Sequence, residues 1–190
     1  MPKTDITILS VELTSDLPPG HTFIQSVITT RTPAIGEPLT ICGFRAGEPT
    51  FQRGKKVVEA SGEVWVCKGS IIQAFPLGRD EAMIRWPALA VSVPSHGGMS
   101  GGPVFDSHGL LVGLLCSSIV FEDGEGISYV CLLWPALTAL FEGTWPSGLY
   151  RDAQSLIEID RRLCAIDRPE AITVEYEETG NTHSGYRVWQ

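Results

Sequence analysis

The residues with the clearest chemical potential are Ser100 and the glycines around it. Ser100 lies in the stretch GMSGGP, with Gly98 before it and Gly101 and Gly102 after it. Glycine accepts a positive φ and allows close approach of a backbone or ligand, so this spacing predicts a turn shaped around one hydroxyl. Such a hydroxyl can act as a nucleophile when a base removes its proton, and nearby amide N–H groups can hold the negative charge that develops.

The residues that follow Ser100 decide between two settings for a glycine-flanked serine. In the nucleophile elbow of α/β-hydrolases, G-x-S-x-G is followed at once by a helix. Here PVF leads into DSHG, a turn signature, and then into an alternating strand. The elbow is therefore excluded, and G-x-S-G-G-P followed by a hairpin resembles the active-site serine motif of the trypsin-like, chymotrypsin-fold serine peptidases. The structural alternative is a serine in an ordinary tight hairpin turn.

The elements that must position this turn are short strands separated by Gly and Pro. Regular strands of this kind predict an all-β antiparallel barrel or sandwich from about residue 36 to 145. Strand-length segments rich in β-branched and aromatic residues are PLTICGF, KKVVEAS, VWVCKGSIIQAF, AMIRW, ALAVSV, PVF, LLVGLLCSSIV and ISYVCLL.

The C-terminal region changes character after residue 145. Apolar residues at steps of three and four predict an amphipathic helix, and Ser155 with Glu158 fits a capping box at its start. ITVEY and YRVWQ around a polar segment predict a terminal hairpin. The helical stripe consists of Leu156, Ile159, Leu163 and Ile166.

Composition excludes several classes of function. A formal net charge of -8 argues against a nucleic-acid surface, and no apolar run is long enough for a membrane span. The five cysteines are odd in number and widely separated, as expected of free thiols in a reducing compartment, and this leans towards the cytoplasm. No secretory signal is visible, and neither metal-ligand spacing nor a phosphate-binding glycine loop is present, so we expect no cofactor.

The resemblance to the trypsin-like peptidases extends over roughly residues 5 to 142. DITILSVEL is similar to the strand that opens with the catalytic aspartate in bacterial high-temperature-requirement type members. IGEPLTICGF resembles the start of their second barrel, and GISYVCLLWPALTALF resembles their last strand and closing helix. The resemblance implies a chymotrypsin-like fold with residues 1–34 as a partial first barrel and linker, 35–145 as a complete second barrel, and 146–190 as a helix plus hairpin extension.

The resemblance also implies site residues and a peptide or protein substrate. Ser100 would be the nucleophile, Asp5 the triad aspartate, and the amides of Gly98 and Ser100 the oxyanion hole. No acidic residue stands at the expected pocket floor, so a preference for Arg or Lys is not supported. Residues implied at the substrate groove and specificity pocket are Ser95, His96, Cys116, Ser117, Ser118, Gly126 and Ser128.

The departure from the family is the general base, a histidine that would lie upstream of Asp5. All histidines of this chain come after Asp5, and each has a local explanation. Three hypotheses stand: a longer peptidase whose first-barrel histidine precedes this sequence, a degenerate peptidase that binds peptides without cutting them, or a first barrel supplied by another copy or partner. The first is favoured, because DITILSVEL alone would be an isolated strand with unpaired edges.

Overall fold

The chain is described by a computed structural model that covers residues 6, 16–22, 24–47, 50–51, 58–59, 62–138, 140–141, 154–158, 165–176 and 183–186. Within these ranges nearly all regular structure is β, and the helices are two short 3-10 segments, Trp134–Thr138 and Pro169–Ala171. The strands are β1 Val27–Thr29, β2 Pro38–Ala46, β3 Thr50–Phe51, β4 Val58–Glu59, β5 Gly62–Phe75, β6 Ala88–Val91, β7 Pro103–Phe105, β8 Leu111–Val120, β9 Gly126–Leu132, β10 Leu140–Phe141, β11 Gln154–Ser155, β12 Ala165–Asp167, β13 Thr173–Tyr176 and β14 His183–Tyr186.

Six strands close into an antiparallel barrel within the compact unit Arg31–Leu132. Around the barrel β2 pairs with β5, β5 with β6, β6 with β9, β9 with β8, β8 with β7, and β7 returns to β2. Register shifts in β5 and β8 mark bulges, which bend strands and help a sheet to close. This confirms the predicted all-β fold and is consistent with a chymotrypsin-like barrel.

Alternating apolar residues explain which face of each strand points inward. On β2, Leu39 and Ile41 are fully buried, whereas Phe44 on the other face is exposed. Side chains alternate across a strand, so one apolar stripe per strand is enough to fill a small barrel. The stripes of the other barrel strands contribute Ile71, Leu89, Val91, Val104, Val112, Leu115, Val130 and Leu132.

A carboxylate cluster attaches the segment before β2 to the turn between β7 and β8. Asp106 has a side chain only 1% exposed and accepts hydrogen bonds from the amides of His108 and Leu110 and from Arg31. The Nη1 of Arg31 also donates to both carboxylate oxygens of Glu37, at 2.7 and 2.8 Å. Burial alone raises the pKa of Asp106, but these hydrogen bonds together hold it below its ordinary value. Glu37 has a lowered pKa, chiefly because of Arg31.

The segment Ala82–Trp86, predicted as a strand, is a loop instead. The Asp80 carboxylate accepts hydrogen bonds from the amides of Ala82 and Met83, at 2.9 and 2.6 Å, and closes a turn. These amides are therefore not available to pair with a neighbouring strand. The hydrogen bonds, that of the Met83 amide first, lower the pKa of Asp80 to about 2. The other predicted barrel strands coincide with β2 and β5 to β9, and only part of KKVVEAS lies within the described residues.

The second compact unit contains residues 1–30 and 133–190. Here β1 pairs in parallel with β12, β10 pairs with β11, and β13 pairs with β14 in a terminal hairpin. The first strand of this hairpin coincides with ITVEY as predicted, whereas the second, His183–Tyr186, begins within the polar segment predicted as the loop and shares only Tyr186 with YRVWQ. The predicted helix over this region is wrong wherever the structure describes it, because Gln154–Ser155 and Ala165–Asp167 are strands. Glu158 does accept from the Ser155 amide and hydroxyl, but these bonds close a turn rather than start a helix. DITILSVEL lies outside the described residues except for Ile6.

The division into residues 1–34, 35–145 and 146–190 stays a prediction. No helix in the described ranges has the length and apolar character needed to cross a membrane. The described cysteines, Cys42, Cys67, Cys116 and Cys131, form no disulfide with one another.

Candidate active site

Ser100 stands in a loop between β6 and β7 that is built from consecutive tight turns. The Met99 amide donates to the His96 carbonyl at 3.2 Å, and the Gly102 amide donates to the Met99 carbonyl at 2.9 Å. Gly98 and Gly101 have φ values of 94° and 83°, in the left-handed region that favours glycine. The turns leave Ser100 exposed at the barrel surface.

The loop is attached to two walls of the barrel. Towards β8, the Gly101 amide donates to the Leu115 carbonyl at 2.8 Å, and the Leu115 amide donates to the Gly102 carbonyl at 2.9 Å. Towards β2, a Cβ added at Gly102 would lie 2.1 Å from the Cys42 carbonyl oxygen. Ser100 is therefore presented from a backbone fixed on both sides.

The amides of Gly98 and Ser100 donate no hydrogen bond to another group in the described part of the chain. Both residues are exposed. A pair of fixed amide donors beside a hydroxyl can stabilise an oxyanion or bind a carbonyl oxygen. These are the two amides that the sequence predicts for that role.

The segments predicted to line a specificity pocket lie together. The Ser118 hydroxyl donates to the Ser95 carbonyl at 3.0 Å, and the Ser128 hydroxyl donates to the Val93 carbonyl at 2.7 Å. Ser95 and Ser128 are buried at 4% and 0% exposure. Two hydroxyl bonds therefore join the chain before the serine loop to both β8 and β9.

Gly126, the first residue of β9, lies against the segment before the serine loop, at Pro94. A Cβ at this position would lie 3.0 Å from the Pro94 Cβ and 2.5 Å from the Ile119 carbonyl oxygen. Ser118 stands opposite Ser128 in the β8–β9 register, and Ser117 opposite Tyr129. The register shift between Leu115 and Ser117 falls at the half-buried Cys116, directly after the residue that bonds to Gly101.

The predicted site residue His96 contacts β5. Its ring packs edge-on against Trp65 of β5, with ring centroids 4.6 Å apart and an interplanar angle of 72°. The Arg45 guanidinium lies over the same indole, 5.4 Å from its centroid. Sequence reasoning did not single out Trp65 or Arg45, because a tryptophan in an apolar strand is an ordinary core residue.

Two histidines, His96 and His108, lie in the same compact unit as Ser100. His96 contacts Trp65, His108 lies exposed in the β7–β8 turn, and neither is hydrogen-bonded to Ser100. The predicted triad aspartate, Asp5, lies outside the described residues. The Ser100–Asp5 pairing therefore stays a prediction.

A closed six-stranded antiparallel barrel with an exposed serine in a glycine-rich loop is consistent with the chymotrypsin-like β-barrel fold. A family described as the trypsin-like peptidase domain matches residues 1–114, which is more than half of the chain and includes the serine loop. The chain belongs to this family. No curated protein matches it.

Proposed function

We propose that this chain is the serine-bearing part of a serine-type endopeptidase in which Ser100 is the nucleophile. The observation that carries the proposal is the exposed Ser100 beside two amides, of Gly98 and Ser100 itself, that donate no hydrogen bond in the described part of the chain. One such donor is typically worth about 3 kcal/mol in the transition state of acyl transfer.

In the proposed reaction the Ser100 Oγ forms a bond to the substrate carbonyl carbon and gives its proton to a base. The carbonyl oxygen takes up negative charge between the amides of Gly98 and Ser100. Collapse of this intermediate breaks the peptide C–N bond, the base protonates the leaving amine, and water then releases the acyl group from Ser100. The base would be a histidine oriented by Asp5, from a segment before Asp5 or from a second copy.

The proposed specificity does not favour Arg or Lys at the residue that donates the carbonyl, because no acidic side chain stands at the expected pocket floor, Pro94 and Ser95. The segments that would flank this pocket are joined by the hydroxyl bonds of Ser118 to the Ser95 carbonyl and of Ser128 to the Val93 carbonyl.

A second candidate function is a peptide-binding module that retains the groove and lacks catalysis. The observation that favours it is the absence of a hydrogen bond from His96 or His108 to Ser100 within the described residues. Without a base a serine hydroxyl is a poor nucleophile at neutral pH. A module of this kind would still bind a peptide carbonyl at the two open amides.

Labelling of the 190-residue chain with a fluorophosphonate probe tests the proposal, since the probe reacts with an activated serine whatever the substrate. We expect labelling of the wild-type chain that is lost in Ser100→Ala. Ser107→Ala is the matched control, because Ser107 is also exposed and lies in the nearby β7–β8 turn. A folded wild-type chain that is not labelled would contradict a base supplied within this chain or by a second copy, and would leave a histidine before this sequence or the binding module.

A further inference from the structure

Met99 anchors the serine loop, although it stands between two exposed residues. Its exposure is 0%, whereas Gly98 and Ser100 on either side are exposed. Its side chain enters the wall of the barrel beside Gly43 of β2, where an added Cβ would be 2.8 Å from the Met99 Cβ. The absence of a side chain at Gly43 is therefore what admits Met99.

Three hydrogen bonds join Met99 to the turns on both sides of it. Its Sδ accepts from the His96 amide at 3.4 Å, and its own amide donates to the His96 carbonyl at 3.2 Å. Its carbonyl accepts from the Gly102 amide at 2.9 Å. The Ser100 N–H belongs to the same planar peptide group as the Met99 carbonyl, so the bond from Gly102 to that carbonyl fixes its direction. Gly98 lies inside the turn that the bond from the Met99 amide to the His96 carbonyl closes.

A second contact reaches the same part of the sheet from the other end of the turn. Trp65, against which the His96 ring packs, stands directly opposite Gly43 in the β2–β5 register. Met99 and His96 therefore both contact one cross-strand pair, Gly43 and Trp65. We call this pair the anchor pair.

We propose that Met99 is a positioning residue, which holds the Gly98 and Ser100 amides in place by packing against Gly43 of the anchor pair. This inference rests on the proposed function and deepens it, since it assigns the preorganisation of the oxyanion site to the barrel. All the anchoring contacts come from residues within 31–132. Donors fixed before the substrate arrives need no reorganisation when charge develops.

Nuclear magnetic resonance of the ¹⁵N-labelled chain tests the inference without requiring an activated serine. In Met99→Ala we expect shifted amide signals for Gly98 and Ser100. We also expect hydrogen exchange at the residue-99 amide to be at least about tenfold faster, which corresponds to 1.4 kcal/mol. Met99→Leu keeps most of the volume without the sulfur acceptor, and it should restore most of the wild-type signals.

Leu89→Ala is the matched control, because Leu89 of β6 is also 0% exposed and has no hydrogen bond to the serine loop. It should lower stability while leaving the Gly98 and Ser100 signals unchanged. If Met99→Ala moves these signals no more than Leu89→Ala does, Met99 is only a core residue and the inference is wrong. If Met99→Ala does not fold, Gly43→Ala replaces it, because the added Cβ would lie 2.8 Å from the Met99 Cβ and displace that side chain. Unchanged Gly98 and Ser100 signals in that variant would equally overturn the inference.

Fluorophosphonate labelling in the same variants separates this inference from the proposed function. Signals that respond as expected in a chain that is never labelled would support the positioning role of Met99 and contradict a base supplied within this chain or by a second copy. A labelled chain whose labelling rate and amide signals are the same in Met99→Ala as in wild type would support the peptidase and overturn the positioning role.

Discussion

Substitution of Gly102 by alanine tests how tightly the serine loop packs on the barrel. The new Cβ would lie 2.1 Å from the Cys42 carbonyl oxygen and 2.8 Å from the Met99 carbonyl oxygen. Both are backbone atoms, so the strain cannot be relieved by rotating a side chain. Overpacking costs about 1–3 kcal/mol. Weakening the Gly102 hydrogen bonds to Met99 and Leu115, both 2.9 Å, adds about 1 kcal/mol each. We expect a total loss of about 3–5 kcal/mol.

Thermal unfolding followed by circular dichroism measures this loss. In a chain of this size 1 kcal/mol shifts Tm by about 2–4 °C, so Gly102→Ala should lower Tm by at least about 6 °C. Gly97→Ala is the matched control, because an added Cβ there has nothing within 4 Å. Gly101→Ala also has open space but a φ of 83°, and should cost about 1–2 kcal/mol through backbone strain alone. A Gly102→Ala protein that melts within about 1 °C of Gly97→Ala would refute the close packing.

Three further predictions concern the barrel. Because the folded-state pKa of Asp106 is lowered, its contribution to stability is present above about pH 4 and is lost as the pH falls through the folded-state pKa. Asp106→Asn should lower the free energy of unfolding by about 2 kcal/mol at pH 7. Measured by urea unfolding, its stability should also fall less steeply towards acid pH than that of the wild type, and an equally steep fall would contradict this role of Asp106. Trp86→Phe removes a buried 2.7 Å hydrogen bond to the Leu132 carbonyl and should lower the free energy of unfolding by about 1–2 kcal/mol. An unchanged free energy of unfolding would contradict a stabilising role of that bond. Ser128→Ala should cost a similar amount by urea unfolding, since its buried bond to the Val93 carbonyl is also 2.7 Å, and an unchanged midpoint would contradict it.

The barrel strands could be predicted because their signal is local. PLTICGF and LLVGLLCSSIV carry β-branched or aliphatic residues bounded by turn formers, and they form β2 and β8. AMIRW has a similar composition and is a loop, because the carboxylate of Asp80 takes the amides that a strand would need. Composition does not reveal that competition between a side chain and the sheet for the same amides.

The error at the C-terminal stripe has a different cause. Leu156, Ile159, Leu163 and Ile166 repeat at a helical period, yet Ile166 lies in β12 and pairs with Ile28 of β1. These partners are far apart in the chain, so no window of sequence contains both. Tertiary pairing overrides a local helical preference when the strand bonds are formed elsewhere in the fold.

The sequence by itself determined the exposed turn at Ser100, because the positive φ of Gly98 and Gly101 is a property of glycine and needs no distant partner. It also indicated the barrel strands through residue alternation. Only the tertiary structure decided what holds the turn in place. Met99 reads as an unspecified position within GMSGGP, and its role depends on the β2–β5 register, which sets Gly43 opposite Trp65 and leaves room for one buried side chain. Register is a relation between strands, and no single stretch of sequence carries it.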